Sequence, residues 1–233
     1  MKKIFAMILL CGATIAVTAQ EISTTISSDI VSSYIWRGQD LGGVSLQPTL
    51  GLEYKGISLT AWGNVGLADP ADTKELDLTL GYSIGGFNIG VTDYWTNDGG
   101  DPAARYFKYD AHGTNHVFEA NIGYDFGVAS LQWYTNFAGN DGVNKKGKRA
   151  YSSYFEIGAP FKLATCDWTA TLGAVPYATD SYKTTGFAIT NVAVRATKDI
   201  KVTDSFSIPL FCELSANPCS QKAYLVVGMS IGL

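Results

Sequence analysis

Apolar and polar residues alternate along most of this chain with a period of two. Between residues 44 and 54, for example, Leu46 and Leu50 fall on one side of the pattern and Gln47 and Glu53 on the other. Successive side chains of a β-strand point to opposite faces, so this period predicts strands rather than helices. The pattern recurs in twelve segments, at residues 22–37, 44–54, 57–67, 75–84, 87–95, 116–124, 129–137, 151–161, 166–175, 186–197, 206–215 and 223–233.

The connections between these segments alternate in length. Long ones fall at 38–43, 68–74, 96–115, 138–150, 176–185 and 216–222, and short ones at 55–56, 85–86, 125–128, 162–165 and 198–205. Outer-membrane barrels have long extracellular loops and short periplasmic turns, and their tilted strands run to about 9–11 residues. The sequence therefore predicts an all-β fold, a single transmembrane antiparallel up-and-down β-barrel of about twelve strands. The competing interpretation is a secreted β-sandwich that acts as a binding module.

Three positions interrupt the alternation. The apolar face of the tenth segment switches from Phe187 and Ile189 to Val192, which predicts a β-bulge near Asn191. Pro48 and Pro209 lie inside segments, and a proline lacks the amide donor that a strand in a closed barrel needs. The sequence therefore predicts either local bulges at both prolines or different strand boundaries there.

The N-terminus carries an export signal. Lys2 and Lys3 precede an apolar run from Ile4 to Leu10, and small residues follow up to Ala19. This arrangement is typical of a signal peptide over residues 1–19, which leaves 20–233 as an outer-membrane β-barrel. Processing as a lipoprotein at Cys11 is the alternative, although the residue before it is Leu10, where that processing needs a small side chain.

Charge and cysteine content exclude other classes. The formal net charge of −4 becomes −6 without Lys2 and Lys3, so there is no basic surface for nucleic acid. Cys166, Cys212 and Cys219 are too few and too scattered for a disulfide scaffold. A pair between Cys212 and Cys219 near one loop stays open, and unpaired thiols are the favoured interpretation.

Aromatic residues gather near the ends of the predicted strands, on or beside the apolar face. Such residues form girdles at the headgroup level of a bilayer. The expected partners are therefore outer-membrane lipid, lipopolysaccharide and the machinery that assembles barrels, in the outer membrane of a Gram-negative bacterium. The girdle candidates are Trp36, Tyr54, Tyr82, Trp95, Trp133 and Trp168.

The polar face is rich in carboxylates. An acidic lumen favours cations, so these residues predict a cation-leaning channel for small hydrophilic solutes or ions. Arg37 should be held by a carboxylate, with Glu75 and Asp77 as its nearest candidates and Glu213 next. The alternative is a plugged structural barrel in which these groups satisfy one another. The lumen candidates are Arg37, Glu75, Asp77, Glu119, Glu156 and Glu213.

The chain offers little catalytic chemistry. His112 and His116 lack a neighbouring nucleophile and orienting group, and we interpret them as surface polar residues rather than metal ligands. The sequence therefore predicts no enzyme, no metal and no cofactor. A basic loop contains Lys145, Lys146, Lys148 and Arg149; it is either a solvated loop or a contact for lipopolysaccharide phosphates.

Several short motifs resemble one family. They are Ser33–Gly38 in the sequence SYIWRG, Pro48, the Trp62–Asn64 motif WGN, Glu75–Leu78 with Gly81 and Tyr82, and His116 with Glu119–Tyr124. These motifs resemble the TorF-like porin family, best over the N-terminal third of the chain. The resemblance implies a porin-like barrel of the outer membrane and supplies no catalytic residues.

Overall fold

A computed structural model describes residues 22–111, 113–204 and 206–232. The expected signal peptide, residues 1–19, lies outside the described residues. Within these three ranges the chain forms fourteen strands, twelve of which close into one antiparallel barrel. The predicted fold class is therefore confirmed. No helix in the described ranges is long and apolar enough to cross a membrane.

The strands follow the predicted segments within a few residues at most ends. The two that stand apart from the barrel wall are β2 (Tyr34–Trp36) and β3 (Gln39–Gly42). The wall is built from β1 (Ile22–Val31), β4 (Ser45–Tyr54), β5 (Ile57–Gly66), β6 (Lys74–Ile84), β7 (Phe87–Asn97), β8 (His116–Asp125), β9 (Ser130–Gly139), β10 (Ser153–Leu163), β11 (Cys166–Val175), β12 (Ala188–Lys201), β13 (Ser207–Asn217) and β14 (Lys222–Gly232).

Each wall strand pairs with its neighbours in the sequence, and β1 closes the barrel by pairing with β14. Short turns join the strands at one end, such as Lys55-Gly56, where both residues have positive φ (49° and 82°). Positive φ at both positions is the type I′ turn that suits two-residue hairpins. The longer loops lie at the other end, as the sequence pattern predicts.

The two faces of the wall differ in chemistry. Leucines such as Leu80 and Leu225 point outward and are 58% and 62% exposed. Their neighbours in the strand, such as Thr79 and Gly81, point into the lumen beside Thr60 and Ser58. Because the alternation has period two, the twelve strands together present one apolar outer face and one polar lumen face.

The first predicted strand was too long. The wall strand β1 ends at Val31, and at Ser32 the chain leaves the wall after two hydrogen bonds with Val227 on β14. Residues 34–42 then form the β2–β3 hairpin, which turns into the lumen, where Tyr34 packs against Trp62 with ring centroids 5.5 Å apart. The alternation continues through residues 34–36, so the pattern alone could not distinguish a wall strand from a hairpin inside the lumen.

The predicted bulge in β12 is confirmed, but the two expected at prolines are wrong. Asn191 pairs with Gly173 and Ile189 with Ala174, so Thr190 is the extra residue. At Pro48 the register stays constant, and the ladder towards β5 skips Gln47 and Pro48. At Pro209 the ladder towards β14 has already stopped at Leu210. Each proline therefore lies where the strand lacks a ladder on one side, and no bulge is needed.

Candidate functional site: the lumen around Arg37

The tip of the β2–β3 hairpin is a two-residue turn made by Arg37 and Gly38. Trp36 pairs with Gln39, and the φ angles of the two turn residues are 49° and 77°. A type I′ turn needs positive φ at both positions, and asparagine or glycine is the usual choice. Lys55 takes the same position in the Lys55-Gly56 turn, so the role of the Arg37 side chain follows from its contacts and not from the turn alone.

The hairpin tip docks on the bulge of β12. A Cβ atom on Gly38 would lie 1.9 Å from the carbonyl oxygen of Thr190, so only glycine allows this approach. The Asn217 side-chain amide on β13 donates a hydrogen bond of 3.0 Å to the Gly38 carbonyl oxygen. The bulge in the wall and the glycine in the turn together set the position of Arg37.

Arg37 is held by Glu119 on β8. Its Nη1 and Nη2 atoms donate hydrogen bonds of 2.6 and 2.8 Å to the two carboxylate oxygens, and Nη1 also donates to the Tyr182 hydroxyl at 2.7 Å. The Tyr94 hydroxyl donates to Glu119 at 2.9 Å. The expectation that a carboxylate holds Arg37 agrees with this geometry, but the expected partners Glu75, Asp77 and Glu213 are wrong.

Aromatic rings surround the guanidinium. Its central carbon lies 4.0 Å from the ring centroid of Tyr134, 4.3 Å from that of Trp36 and 4.7 Å from that of Tyr154. The ring of Tyr182 stacks on Tyr154 and on Trp36, with centroids 5.8 and 6.2 Å apart. We call Glu119 and these four aromatic residues the Arg37 cage. Cation–π contacts of this kind are strongest where water is excluded.

The cage is buried. The side chains of Arg37 and Glu119 are 8% and 4% exposed. Burial alone would lower the pKa of Arg37, but Tyr182 and Glu119 raise it well above its ordinary value, so the guanidinium stays charged. Burial raises the pKa of Tyr182 to about 12 against the opposing effect of Arg37, so its hydroxyl stays protonated at neutral pH. The pair is therefore a largely desolvated ion pair with bidentate hydrogen bonds.

A second arginine–glutamate pair in the lumen is more exposed and has fewer contacts. Arg195 on β12 donates a hydrogen bond of 2.7 Å from Nε to Glu213 on β13 and lies over the Phe211 ring. The Arg195 side chain is 44% exposed. It has one ring beside it and a single contact to its carboxylate, so it is a natural comparison for Arg37.

The remaining lumen candidates have no basic partner. Glu75 and Asp77 lie on the lumen face of β6 and Glu156 on that of β10, and none of them forms an ion pair with a described residue. Tyr34 donates to Glu75 and Tyr154 donates to Glu156, both at 2.8 Å. Outside the two arginine pairs, these predicted lumen positions are therefore acidic.

Comparisons with known proteins give distant likenesses only. No family model and no curated protein matches the chain. It is similar to an outer membrane channel from Pseudomonas putida F1, at 15% identity and TM-score 0.46 over 92% of this chain and 96% of that one. It is also similar to the outer membrane protein OprD from Pseudomonas aeruginosa, at 10% identity and TM-score 0.35 over 92% and 66%. Likenesses this weak carry no argument about function.

Five of the six girdle candidates lie on the outer face, and Trp36 does not. Trp36 is in the lumen on β2, against Tyr94 and Tyr182. This correction follows from the early end of β1, because the hairpin carries Trp36 away from the wall. On the outer face Trp95 pairs with Leu76 and Trp133 with Ile122. The others there are Tyr54, Tyr82 and Trp168.

The tyrosines of the cage, and Tyr94 beside it, were not predicted from the sequence. Tyr94, Tyr134 and Tyr154 fall in the polar register of their strands, next to residues such as Thr92, Gln132 and Glu156. Their place in the polar register was the signal in the sequence that these rings face the lumen. Tyr182 gave none, because it comes from the long loop between β11 and β12.

His116 is not a surface residue, which corrects its interpretation. It lies on the outer face of β8 with no solvent exposure, beneath the loop between β7 and β8. Its ring nitrogens contact the Asp93 carboxylate at 2.7 Å and the Tyr106 carbonyl oxygen at 2.5 Å. His112 falls outside the described residues. No group of three metal-ligating side chains occurs among the residues described.

The basic loop lies beside this covered histidine. Arg149 donates to the carbonyl oxygens of Gly139 and Ala111, at 2.9 and 3.3 Å, so the loop between β9 and β10 contacts the loop between β7 and β8. Lys145, Lys146 and Lys148 are in the same loop, close to the Asn144 side chain that accepts backbone hydrogen bonds from two of them.

Proposed function

We propose that the protein is a porin-like channel in the outer membrane of a Gram-negative bacterium, through which small hydrophilic solutes cross passively. The observation that carries the proposal is the closed barrel with a polar lumen and an apolar outer face. A closed barrel satisfies all of its backbone hydrogen bonds within the wall, as lipid requires. Leucines that are more than half exposed, such as Leu80, Leu214 and Leu225, would be unfavourable over so wide a surface in water.

The proposal includes the expected surroundings. Residues 1–19 serve as the export signal, and the outer-face aromatic residues lie at the headgroup level among lipid and lipopolysaccharide. The barrel assembly machinery inserts the chain, and the protein is a relative of the TorF-like porins. The proposal assigns it no catalytic step, metal or cofactor.

The β2–β3 hairpin closes the passage in this conformation. Tyr154 has no solvent exposure, and Tyr182 and Tyr34 are each 6% exposed, at the level where Arg37 meets Glu119. Passage of a solute therefore requires movement of the hairpin tip. The tip carries one side-chain hydrogen bond from Asn217 and the contacts of Arg37, which is a small attachment compared with a wall strand.

The charge of the lumen favours cations. Glu119 and Glu213 are each neutralised by an arginine, whereas Glu75, Asp77 and Glu156 are not. A negative passage with partly buried walls concentrates cations and excludes anions. Glu156 and the buried Glu75–Asp77 pair, which lack a basic partner, are therefore the residues that set the preference.

A planar bilayer recording tests the proposal. The mature protein should conduct rarely, and Arg37→Asn should conduct more often, because asparagine suits the type I′ turn but does not reach Glu119. The reversal potential in a salt gradient should favour cations and move towards neutrality in Glu75→Gln and Glu156→Gln. Arg195→Ala is the matched control and should not raise the frequency of opening.

A plugged structural barrel is the second candidate, and the burial of the Arg37 cage favours it. The same recordings distinguish the two. If Arg37→Asn inserts into the bilayer as a folded barrel and stays silent, the lumen is a polar core and the channel proposal fails.

A further inference from the structure

The Arg37 cage is chemically complete for a planar cation. A guanidinium needs in-plane acceptors and stacking partners above and below its plane. Glu119 supplies two acceptors at 2.6 and 2.8 Å, and the Tyr182 hydroxyl a third at 2.7 Å. The rings of Tyr134, Trp36 and Tyr154 lie within 4.7 Å of the guanidinium carbon.

Arg37 has more hydrogen bonds and ring contacts in its cage than an arginine in this lumen needs to stay in place. Arg195 stays in place with one ring, one hydrogen bond to a carboxylate and 44% exposure of its side chain. The cage of Arg37 is instead assembled from β2, β8, β9, β10 and the loop before β12. Groups from five parts of the chain converge on one guanidinium.

The occupant of the cage is carried on an element that is separate from the wall. Arg37 has a positive φ of 49°, a conformation that is unfavourable for a residue with a side chain. The backbone of the tip therefore does not favour arginine, and the side chain holds the tip in place through the cage.

A pocket lies next to the cage. It has a volume of about 170 Å³ and is lined by residues of the hairpin, of β13 and of β14, together with Tyr182 and Lys183. Tyr182 lines both the pocket and the cage, so the two adjoin at this residue. A small solute that enters from the long-loop end reaches the cage by moving this side chain or the hairpin tip.

We propose that the Arg37 cage is a binding site for small solutes that bear a guanidinium group, and that Arg37 is its tethered occupant. The inference rests on the proposed channel function for its biological meaning. A free guanidinium compound would exchange with Arg37, take the bidentate contacts of Glu119 and release the hairpin tip. The channel would then open for the class of solute that it recognises.

Calorimetric titration of the purified mature protein in detergent tests the site without any conductance. The probe is propylguanidinium, which has the head group and part of the stem of arginine. Its matched control is propylurea, which has the same shape without the charge. The proteins compared are the wild type, Arg37→Asn, Arg37→Asn with Glu119→Gln, and Arg195→Ala.

We expect Arg37→Asn to bind propylguanidinium at least about tenfold more tightly than the wild type or Arg195→Ala, because Arg37 no longer occupies the charged hydrogen bonds of Glu119. Propylurea should bind weakly to all four proteins, and the double variant should lose the gain. Equal binding of the two probes to Arg37→Asn would overturn the proposal, as would an equal gain in Arg195→Ala.

Arg37→Gly, which also accepts positive φ, replaces Arg37→Asn if the latter does not fold. If neither folds alone, a higher refolding yield in propylguanidinium than in propylurea supports the site, and equal yields overturn it. The outcomes also separate the two proposals. Binding without conductance would overturn the channel proposal and support the binding site. Conductance without preferential binding would support the channel and overturn the binding site.

Discussion

The His116 imidazole and the Asp93 carboxylate lie 2.7 Å apart on the outer face of the barrel, where the proposed function places lipid. His116 has no solvent exposure, and the Asp93 side chain is 15% exposed. The ring of Tyr109 stacks on His116 with centroids 4.2 Å apart, so the loop between β7 and β8 covers the pair. Polar groups that face lipid are unfavourable, and this loop separates them from it.

His116→Ala should therefore release the loop between β7 and β8. The substitution removes the contacts to Asp93 and to the Tyr106 carbonyl oxygen, which hold the loop on the wall. Trypsin should then cleave the folded barrel faster after Arg105 and Lys108. Lys162→Ala is the control, because its ion pair with Asp167 is exposed to solvent. An unchanged cleavage rate in His116→Ala would show that the loop is held by its other contacts.

Glu119→Gln should destabilise the barrel far more than Glu213→Gln. Arg37 would stay buried with its bidentate partner lost, and breaking a buried pair costs about 3–5 kcal/mol. Arg195 is 44% exposed, so water replaces its partner and the expected cost is about 0–1 kcal/mol. The free energy of unfolding in urea, measured in lipid vesicles, checks the difference. Equal losses would mean that the Arg37 cage is hydrated.

Gly38→Ala should displace the hairpin tip. The added Cβ atom would meet the Thr190 carbonyl oxygen at 1.9 Å, and backbone in the wall moves little. Gly147→Ala is matched in conformation, with φ of 68° against 77°, but its Cβ atom would meet nothing within 4 Å. We expect more frequent channel openings in bilayer recordings of Gly38→Ala alone. An equal rise in opening frequency in both variants would mean that the strained backbone conformation, and not the lost docking on Thr190, causes the openings.

Thiol labelling checks the orientation of the wall. Cys212 lies on the outer face of β13 and pairs with Val227, which is 54% exposed, whereas Cys219 is exposed in the turn before β14. In lipid vesicles a water-soluble maleimide should label Cys219 rapidly and Cys212 only after unfolding. Cys166→Ser removes the third free thiol from the experiment. Rapid labelling of Cys212 in the folded protein would place the outer face of β13 in water.

The wall was predictable from sequence because each strand encodes its own two faces. The period-two pattern located all twelve strands, and the switch of face between Ile189 and Val192 located the bulge at Thr190. The hairpin was not predictable in the same way. Tyr34 and Trp36 continue the alternation of β1, and only the Arg37-Gly38 turn marks where the chain folds back.

The partners within the site depend on contacts that no local pattern contains. Arg37 and Glu119 are 82 positions apart, and their meeting depends on the inward fold of the hairpin. The covered position of His116 depends on a loop that folds back over the outer face, signalled only by Tyr106, Phe107 and Tyr109 close together in the sequence. The alternation along β8 predicted that Glu119 faces the lumen, but it did not identify Arg37 as its partner.

The early departure of the chain from β1 also has a mechanical consequence. The seam that closes the wall, between β1 and β14, is only five residue pairs long, whereas β1 pairs with β4 over ten. The hairpin leaves β1 at Ser32, crosses the inner side of β14 and docks on β12 and β13 through Gly38. The hairpin therefore links β1 to β12 and β13 across the β1–β14 seam. A force that pulls β1 and β14 apart is resisted by the five ladder pairs and by the docked hairpin. A barrel whose hairpin has been released is therefore weakest against lateral opening at that seam.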